Sequence, residues 1–141
     1  MAVIDTGALI NYTHVTSSIK YVNGAGVVVA ENDLTGLSRE SYNATLYYED
    51  ERLSARISAA YRAKYLTRVP GQEAGTDVDG TNSTFNLDTS VQYTWNEHLK
   101  FTFEGINLTD EYQDQYNDSS NRLSFYHHTG REFLFGFRYS Y

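Results

Sequence analysis

The sequence predicts an all-β fold, an antiparallel up-and-down meander of about six long strands sized to form part of a transmembrane β-barrel. Three observations carry this. Apolar and polar side chains alternate with period two, as they do when successive residues point to opposite faces of a strand. The alternating runs last ~10 residues, about twice the ~5–6 of ordinary globular strands and close to the ~9–11 that cross a bilayer when tilted. The links between runs go long, short, long, short, long, the rhythm of a barrel with tight turns at one rim and long loops at the other.

The first strand is expected within 7–22, where Ala8, Ile10 and Tyr12 alternate with Asn11 and Thr13. The link 23–40 holds Gly24, Gly26 and Gly36, and its apolar stretch Gly26–Ala30 is expected to extend the first hairpin. Next, Tyr42, Ala44, Leu46 and Tyr48 alternate with Ser41, Asn43, Thr45, Tyr47 and Glu49. A tight turn at 49–52 leads to the longest run, Leu53, Ala55, Ile57, Ala59, Tyr61, Ala63 and Tyr65, against Ser54, Arg56, Ser58, Ala60, Arg62 and Lys64. After the link 67–83, with Pro70, Gly71, Gly75 and Gly80, the residues Phe85, Leu87, Thr89, Val91, Tyr93 and Trp95 alternate with Asn86, Asp88, Ser90, Gln92 and Thr94. A turn at 96–98 precedes a strand at 98–108, where Leu99, Phe101 and Phe103 face away from Lys100, Thr102 and Glu104. Gly105 interrupts it and is expected to mark a bulge or tight bend. A polar link, 109–122, precedes the last run, in which Phe133, Phe135, Phe137, Tyr139 and Tyr141 alternate with Glu132, Leu134, Gly136, Arg138 and Ser140.

Composition fits two-faced strands. The 141 residues contain 11 Lys+Arg and 18 Asp+Glu, a net charge of −7 that argues against a nucleic-acid partner. There is no Cys, which excludes disulfides, thiolate metal sites and Cys nucleophiles. Aromatic residues make up 15%, yet mean hydropathy is −0.52. Both hold together if apolar side chains face lipid and polar ones face inward. No run approaches the ~20 apolar residues of a spanning helix, and Met1 to Thr6 carry no basic segment of the kind that opens a secretory leader. Tyr12, Tyr42, Tyr48, Tyr61, Tyr65, Tyr93 and Trp95 read as anchors at the membrane interfaces.

The C-terminus carries a recognisable pattern: Phe133, Phe135, Phe137, Tyr139 and Tyr141 occupy every second place. It resembles the signal by which the barrel-assembly machinery recognises bacterial outer-membrane proteins, with Tyr141 where Phe is usual. The run from Leu99 through Asn107-Leu108-Thr109-Asp110-Glu111-Tyr112 resembles the penultimate strand and loop of TonB-dependent receptors. Tyr126-His127-His128-Thr129-Gly130-Arg131-Glu132-Phe133 resembles the start of their last strand, and Ser41–Glu49 with Leu53–Tyr65 an earlier hairpin. This similarity spans roughly residues 5–141. It implies an outer-membrane component for uptake of a scarce nutrient (an oligosaccharide, an iron chelate or a vitamin), and not an enzyme. The family's barrel has 22 strands and a plugged lumen. The chain 1–141 therefore resembles the C-terminal segment of such a receptor barrel, without the plug domain and earlier strands. The implied partners are those strands and the plug, TonB through the missing N-terminal part, outer-membrane lipid and the assembly machinery. The family's topology sets the long links outside and the tight turns in the periplasm.

Several residues are candidates for chemistry. Asp77, Asp79 and Asn82 lie in a Gly-rich loop of the kind that can offer oxygen ligands to Ca²⁺, though such spacing is usually turn chemistry. Asp110, Asp114 and the rings of Tyr112 and Tyr116 sit in the acidic 109–122 link, where an outside loop can meet a ligand. Arg56, Arg62 and Lys64 share a strand face and, with Asp88 and Glu104, are candidate lumen-facing charges. His127 and His128 are adjacent, so in a strand they point apart and cannot share a metal ion. No cofactor is expected: no phosphate loop, nucleophile elbow or paired His–carboxylate spacing appears. A second class of reading is a self-contained β-sheet binding module, soluble or adhesin-like. A third is a small outer-membrane barrel, for which two further strands would be needed.

Overall fold

The computed structural model describes residues 4–141. Twelve strands follow one another: β1 (Asp5–His14), β2 (Ile19–Val22), β3 (Val28–Asn32), β4 (Glu40–Glu49), β5 (Leu53–Arg62), β6 (Tyr65–Arg68), β7 (Asp79–Thr81), β8 (Thr84–Thr94), β9 (Leu99–Ile106), β10 (Gln113–Asn117), β11 (Arg122–His127) and β12 (Glu132–Tyr139). No helix occurs among the described residues. Six strands form one antiparallel meander in the order β1-β4-β5-β8-β9-β12. The sheet is open, because β1 and β12 are each paired on one side only.

The register places every apolar set on one face. Ala8, Leu46, Ile57, Thr89, Gly105 and Phe133 stand opposite one another strand by strand. The neighbouring row is Thr6, Tyr48, Ala55, Val91, Phe103 and Phe135. At one end of the strands Tyr12, Tyr42, Tyr61 and Phe85 form an aromatic row, with the Tyr42 and Tyr61 rings stacked at 4.9 Å. Toward the other end Tyr93, Phe101 and Phe137 stand in line, and Trp95 packs edge-on against Tyr93 at 6.3 Å. The opposite face carries Asn43, Thr45, Ser58, Asn86, Ser90, Gln92, Thr102 and Glu104.

Neither face of this sheet is buried. Among the described residues the buried hydrophobic ones are Val78 and Tyr116, both outside it, whereas Phe135 is 81% exposed. The accessible surface of 10030 Å² exceeds the ~7,400 Å² that size alone gives a compact soluble chain of this mass.

Both tight turns use the same device. Oδ1 of Asp50 accepts the backbone N–H groups of Arg52 and Leu53 at 2.8 Å each. Oδ1 of Asn96 accepts those of His98 and Leu99 at 2.9 Å each. A short acceptor side chain at the first turn position satisfies donors that the ladder no longer reaches.

The long links are not irregular. The expected first strand, 7–22, breaks after His14, where Thr16-Ser17-Ser18 interrupts the apolar alternation; Oγ of Ser17 accepts the Leu34 N–H at 3.0 Å. Beyond the break β2 and β3 form a hairpin, closed by Asn23 and by Gly26 at φ 77°. The links 67–83 and 109–122 likewise contain strands. The hairpins β6–β7 and β10–β11 pair through β7 and β10 into a second sheet of order β11-β10-β7-β6. It continues the first sheet: Arg62 opposes Thr84, and three residues further on each strand Tyr65 opposes Thr81. Lys64 and Tyr65, expected within the long run, thus lie past its end, Lys64 in the two-residue gap between β5 and β6 and Tyr65 on β6.

Gly105 is no bulge. Its pairings with Thr89 and Phe133 stay in register. A Cβ there would meet Leu108 at 2.9 Å and Thr89 at 3.1 Å, so the glycine lets Leu108 fold back over the strand.

Candidate functional site

The functional geometry sits where the six-stranded sheet gives way to the hairpin sheet. Its corner is the segment Asn107–Glu111. Asn107 adopts φ 54° and Asp110 φ 58°, a left-handed conformation that Asn and Asp tolerate best after Gly. The buried Asn107 is fully hydrogen-bonded: its N–H donates to Asp88 Oδ1 at 2.8 Å, and its amide donates to the carbonyls of Glu111 and Gly130 at 2.9 and 3.0 Å. Its Oδ1 accepts the Glu111 N–H at 2.7 Å. Thr109 Oγ1 donates to the Phe85 carbonyl at 2.8 Å, and Arg131 Nε to the Leu108 carbonyl at 3.0 Å. One asparagine thereby ties β8 and β9 to the residue preceding the Arg131–Glu132 lead into β12.

The hairpin sheet has its own small core. The Tyr116 ring fills the space over Gly80, which a Cβ would block. Tyr116 was expected as an exposed loop ring; it lies on β10 and is 6% exposed. Burial, with the Asp77 charge second, holds its hydroxyl pKa above the ordinary value. Asp77 accepts the Ser119 N–H at 2.9 Å, and the Ser119 hydroxyl and N–H keep its carboxyl below the usual carboxylate range. The N–H of Asp118 donates to the Val78 carbonyl at 2.7 Å, closing the same loop pair.

The candidate Ca²⁺ residues do not converge. Asp77 holds Ser119, Asp79 Oδ2 accepts the Gln72 N–H at 2.8 Å, and Asn82 donates to Asp114 at 2.6 Å. Among the described residues no group of three His, Cys, Asp or Glu side chains is placed to hold a metal ion. Asp110 meets His128 Nε2 at 3.0 Å. Tyr112 packs on Tyr126 at 5.0 Å with His128 beside both rings, so these three form an aromatic patch at the base of the second sheet.

Arg56, Arg62, Asp88 and Glu104 share the polar face: Arg56 opposes Ser90 and Ser90 opposes Glu104, while Asp88 opposes Ser58. They form no ion pair with one another. Arg62 instead donates to Ser38 Oγ at 2.8 Å and to the Gly36 carbonyl at 2.9 Å, and its guanidinium lies 3.9 Å over the Tyr65 ring. Asp88 is occupied by Asn107. Phe133, Phe135, Phe137 and Tyr139 line the apolar face of β12, and Tyr141 follows the strand, fully exposed.

Two clefts adjoin the hairpin sheet. One, about 620 Å³, lies between it and the segment from Asn32 to Glu40, with His14, Lys64 and Asp77 on its wall. The other, about 480 Å³, lies over the sheet itself between Arg68, Gln115 and Phe125. No protein-family model matches the chain, and no curated protein or solved structure matches it either.

Sequence reasoning missed the Asn107 hub, the pairing of the two hairpins and the buried Asn117. The only local signal was the Asn and Asp content of 107–121, which marks left-handed turns without saying what they join.

Proposed function

We propose that this chain is part of the wall of a bacterial outer-membrane β-barrel of the TonB-dependent receptor kind, serving uptake of a scarce nutrient. The observation that carries the reading is the apolar face, in register across all six strands of the long sheet and bounded by aromatic residues toward both ends. From Phe85 to Tyr93 is eight residues, ~27 Å at ~3.4 Å per residue. A ~40° tilt turns that into a band of ~21 Å before the rings are added, against the ~25 Å of known outer-membrane barrels. The short turns cap one end and the folded hairpins the other, matching periplasmic turns and outside loops. On this reading the open edges at β1 and β12 pair with further strands of the same barrel, the polar face meets a plug, and energy arrives through TonB.

The test is insertion. The refolded chain in phosphatidylcholine vesicles should keep its long strands protected from protease while the hairpins remain cleavable. A monomer stable without detergent or lipid would refute it. That outcome would favour a second reading, a self-contained sheet that binds a partner through the same face, for which the two open edges already speak.

A further inference from the structure

We infer that the cleft over the hairpin sheet is a binding site for a neutral saccharide. This deepens the uptake reading and rests on it for the exposure of the hairpins to the outside medium; among the nutrient classes it selects the oligosaccharide. The cleft measures about 480 Å³, within the ~300–1,000 Å³ of small-molecule sites.

Its wall holds side chains that lack partners. Asn117 is 7% exposed, and none of the side-chain hydrogen bonds of the described residues involves its amide. Directly opposite on β7, Asp79 keeps Oδ1 buried and without a partner, its other oxygen taken by the Gln72 N–H at 2.8 Å. Buried polar groups normally find partners, and those that lack them call for an explanation. Asp79 Oδ1 is buried, whereas Asn117 lines the cleft with no side-chain partner for its amide; that amide offers both a donor and an acceptor, and a sugar hydroxyl is both as well.

Charge selects the class. Arg68 stands across from Asp79 in the ladder, and at the rim Arg122 pairs with Glu73 at 2.8 Å. Arg122 is also held by Asp118 at 3.5 Å, and the charged residues of the cleft wall are Arg68, Glu73 and Asp79, so the wall gathers neither several cations for a phosphate nor a converging set of carboxylates for a metal ion. What remains is planar amide groups from Gln72, Gln115 and Asn117 beside the half-exposed Phe125 ring. Such a set hydrogen-bonds hydroxyls while the ring covers the apolar C–H face of a pyranose.

The experiment is calorimetric titration of the full chain, refolded in detergent micelles, with maltotriose, cellotriose and xylotriose, and separately with calcium chloride and inorganic phosphate. Saturable binding of at least one trisaccharide is expected, without binding of calcium or phosphate. It should weaken at least tenfold in Phe125→Ala, whose exposed ring can be removed without opening a core, and in Asn117→Ala. If Asn117→Ala does not fold by circular dichroism, Phe125→Ala decides. The inference is overturned if no trisaccharide binds the folded chain, if both folded variants bind as the parent does, or if only calcium or phosphate binds. Protease protection in vesicles is read on the same preparation. Sugar binding without protection would remove the membrane reading and leave the site; protection without sugar binding would do the reverse.

Discussion

Replacing Ile57 by Arg places a charge at the centre of the apolar face. Ile57 lies four residues from Tyr61 in one aromatic row and four from Leu53, which opposes Tyr93 near the other end. That is ~14 Å to each side at ~3.4 Å per residue, which on the proposed membrane reading is the midplane of a spanning strand. Arg at the midplane of a lipid-facing strand costs ~2–4 kcal/mol, and near the interface ~0–1. At ~1.4 kcal/mol per tenfold, the folded fraction relative to unfolded should fall ~30- to ~700-fold for Ile57→Arg. Leu53→Arg at the rim should cost ~0–1 kcal/mol. Ser58→Arg, adjacent in sequence but on the polar face, should change stability by ~0.5 kcal/mol or less. Reversible urea unfolding in lipid vesicles, followed by the fluorescence of the single Trp95, measures all three. Equal costs at 57 and 53 would refute the depth argument, and a cost at 58 matching that at 57 would refute the assigned facing.

Three further outcomes follow from the corner and the hairpin sheet. Asn107→Ala strips partners from the Glu111 N–H and the Glu111 and Gly130 carbonyls and should destabilise by ~2–4 kcal/mol, read as a lowered urea midpoint with an unchanged slope. Gly80→Val drives a side chain into the space held by Tyr116 and should cost at least ~1–3 kcal/mol, with faster amide exchange across β7 and β10. Asp77 has its folded pKa below the ordinary carboxylate value, so its contribution is present above the unfolded pKa, ~3.9, and is lost as pH falls through the folded value. The protection of the Ser119 amide, its exchange rate relative to that of the unfolded chain at the same pH, should therefore decline as pH falls below about 4, and Asp77→Asn should abolish that dependence.

The long strands were legible because period two is a local property. The Leu53–Arg62 run shows its two faces without knowledge of its neighbours, and register then follows from hairpins closed by Asp50 and Asn96. The hairpin sheet was not legible, because its strands are three to six residues long and stabilise one another across distant links. Tyr116 looked like an exposed ring in a polar stretch; only the pairing of β10 with β7 sets it over Gly80. Asp88 and Arg62 read correctly as polar-face residues, yet their partners, Asn107 and the 36–38 segment, come from elsewhere in the chain. Gly105 was visible as an interruption of the apolar run, but the strand does not break there, and the reason for a glycine, Leu108 folding back over it, depended on the corner that Asn107 builds.

The central claim, that the apolar face meets lipid, is most directly tested by residue-by-residue environment mapping. The chain has no Cys, so one introduced at each position from 54 to 61, and at Val91, Gln92, Phe135 and Gly136, gives a unique site for a nitroxide label. In vesicles the account predicts collision with oxygen at Ala55, Ile57, Ala59, Val91 and Phe135, and collision with a water-soluble nickel chelate at Arg56, Ser58, Gln92 and Gly136. Labels equally accessible to the chelate on both faces would contradict it.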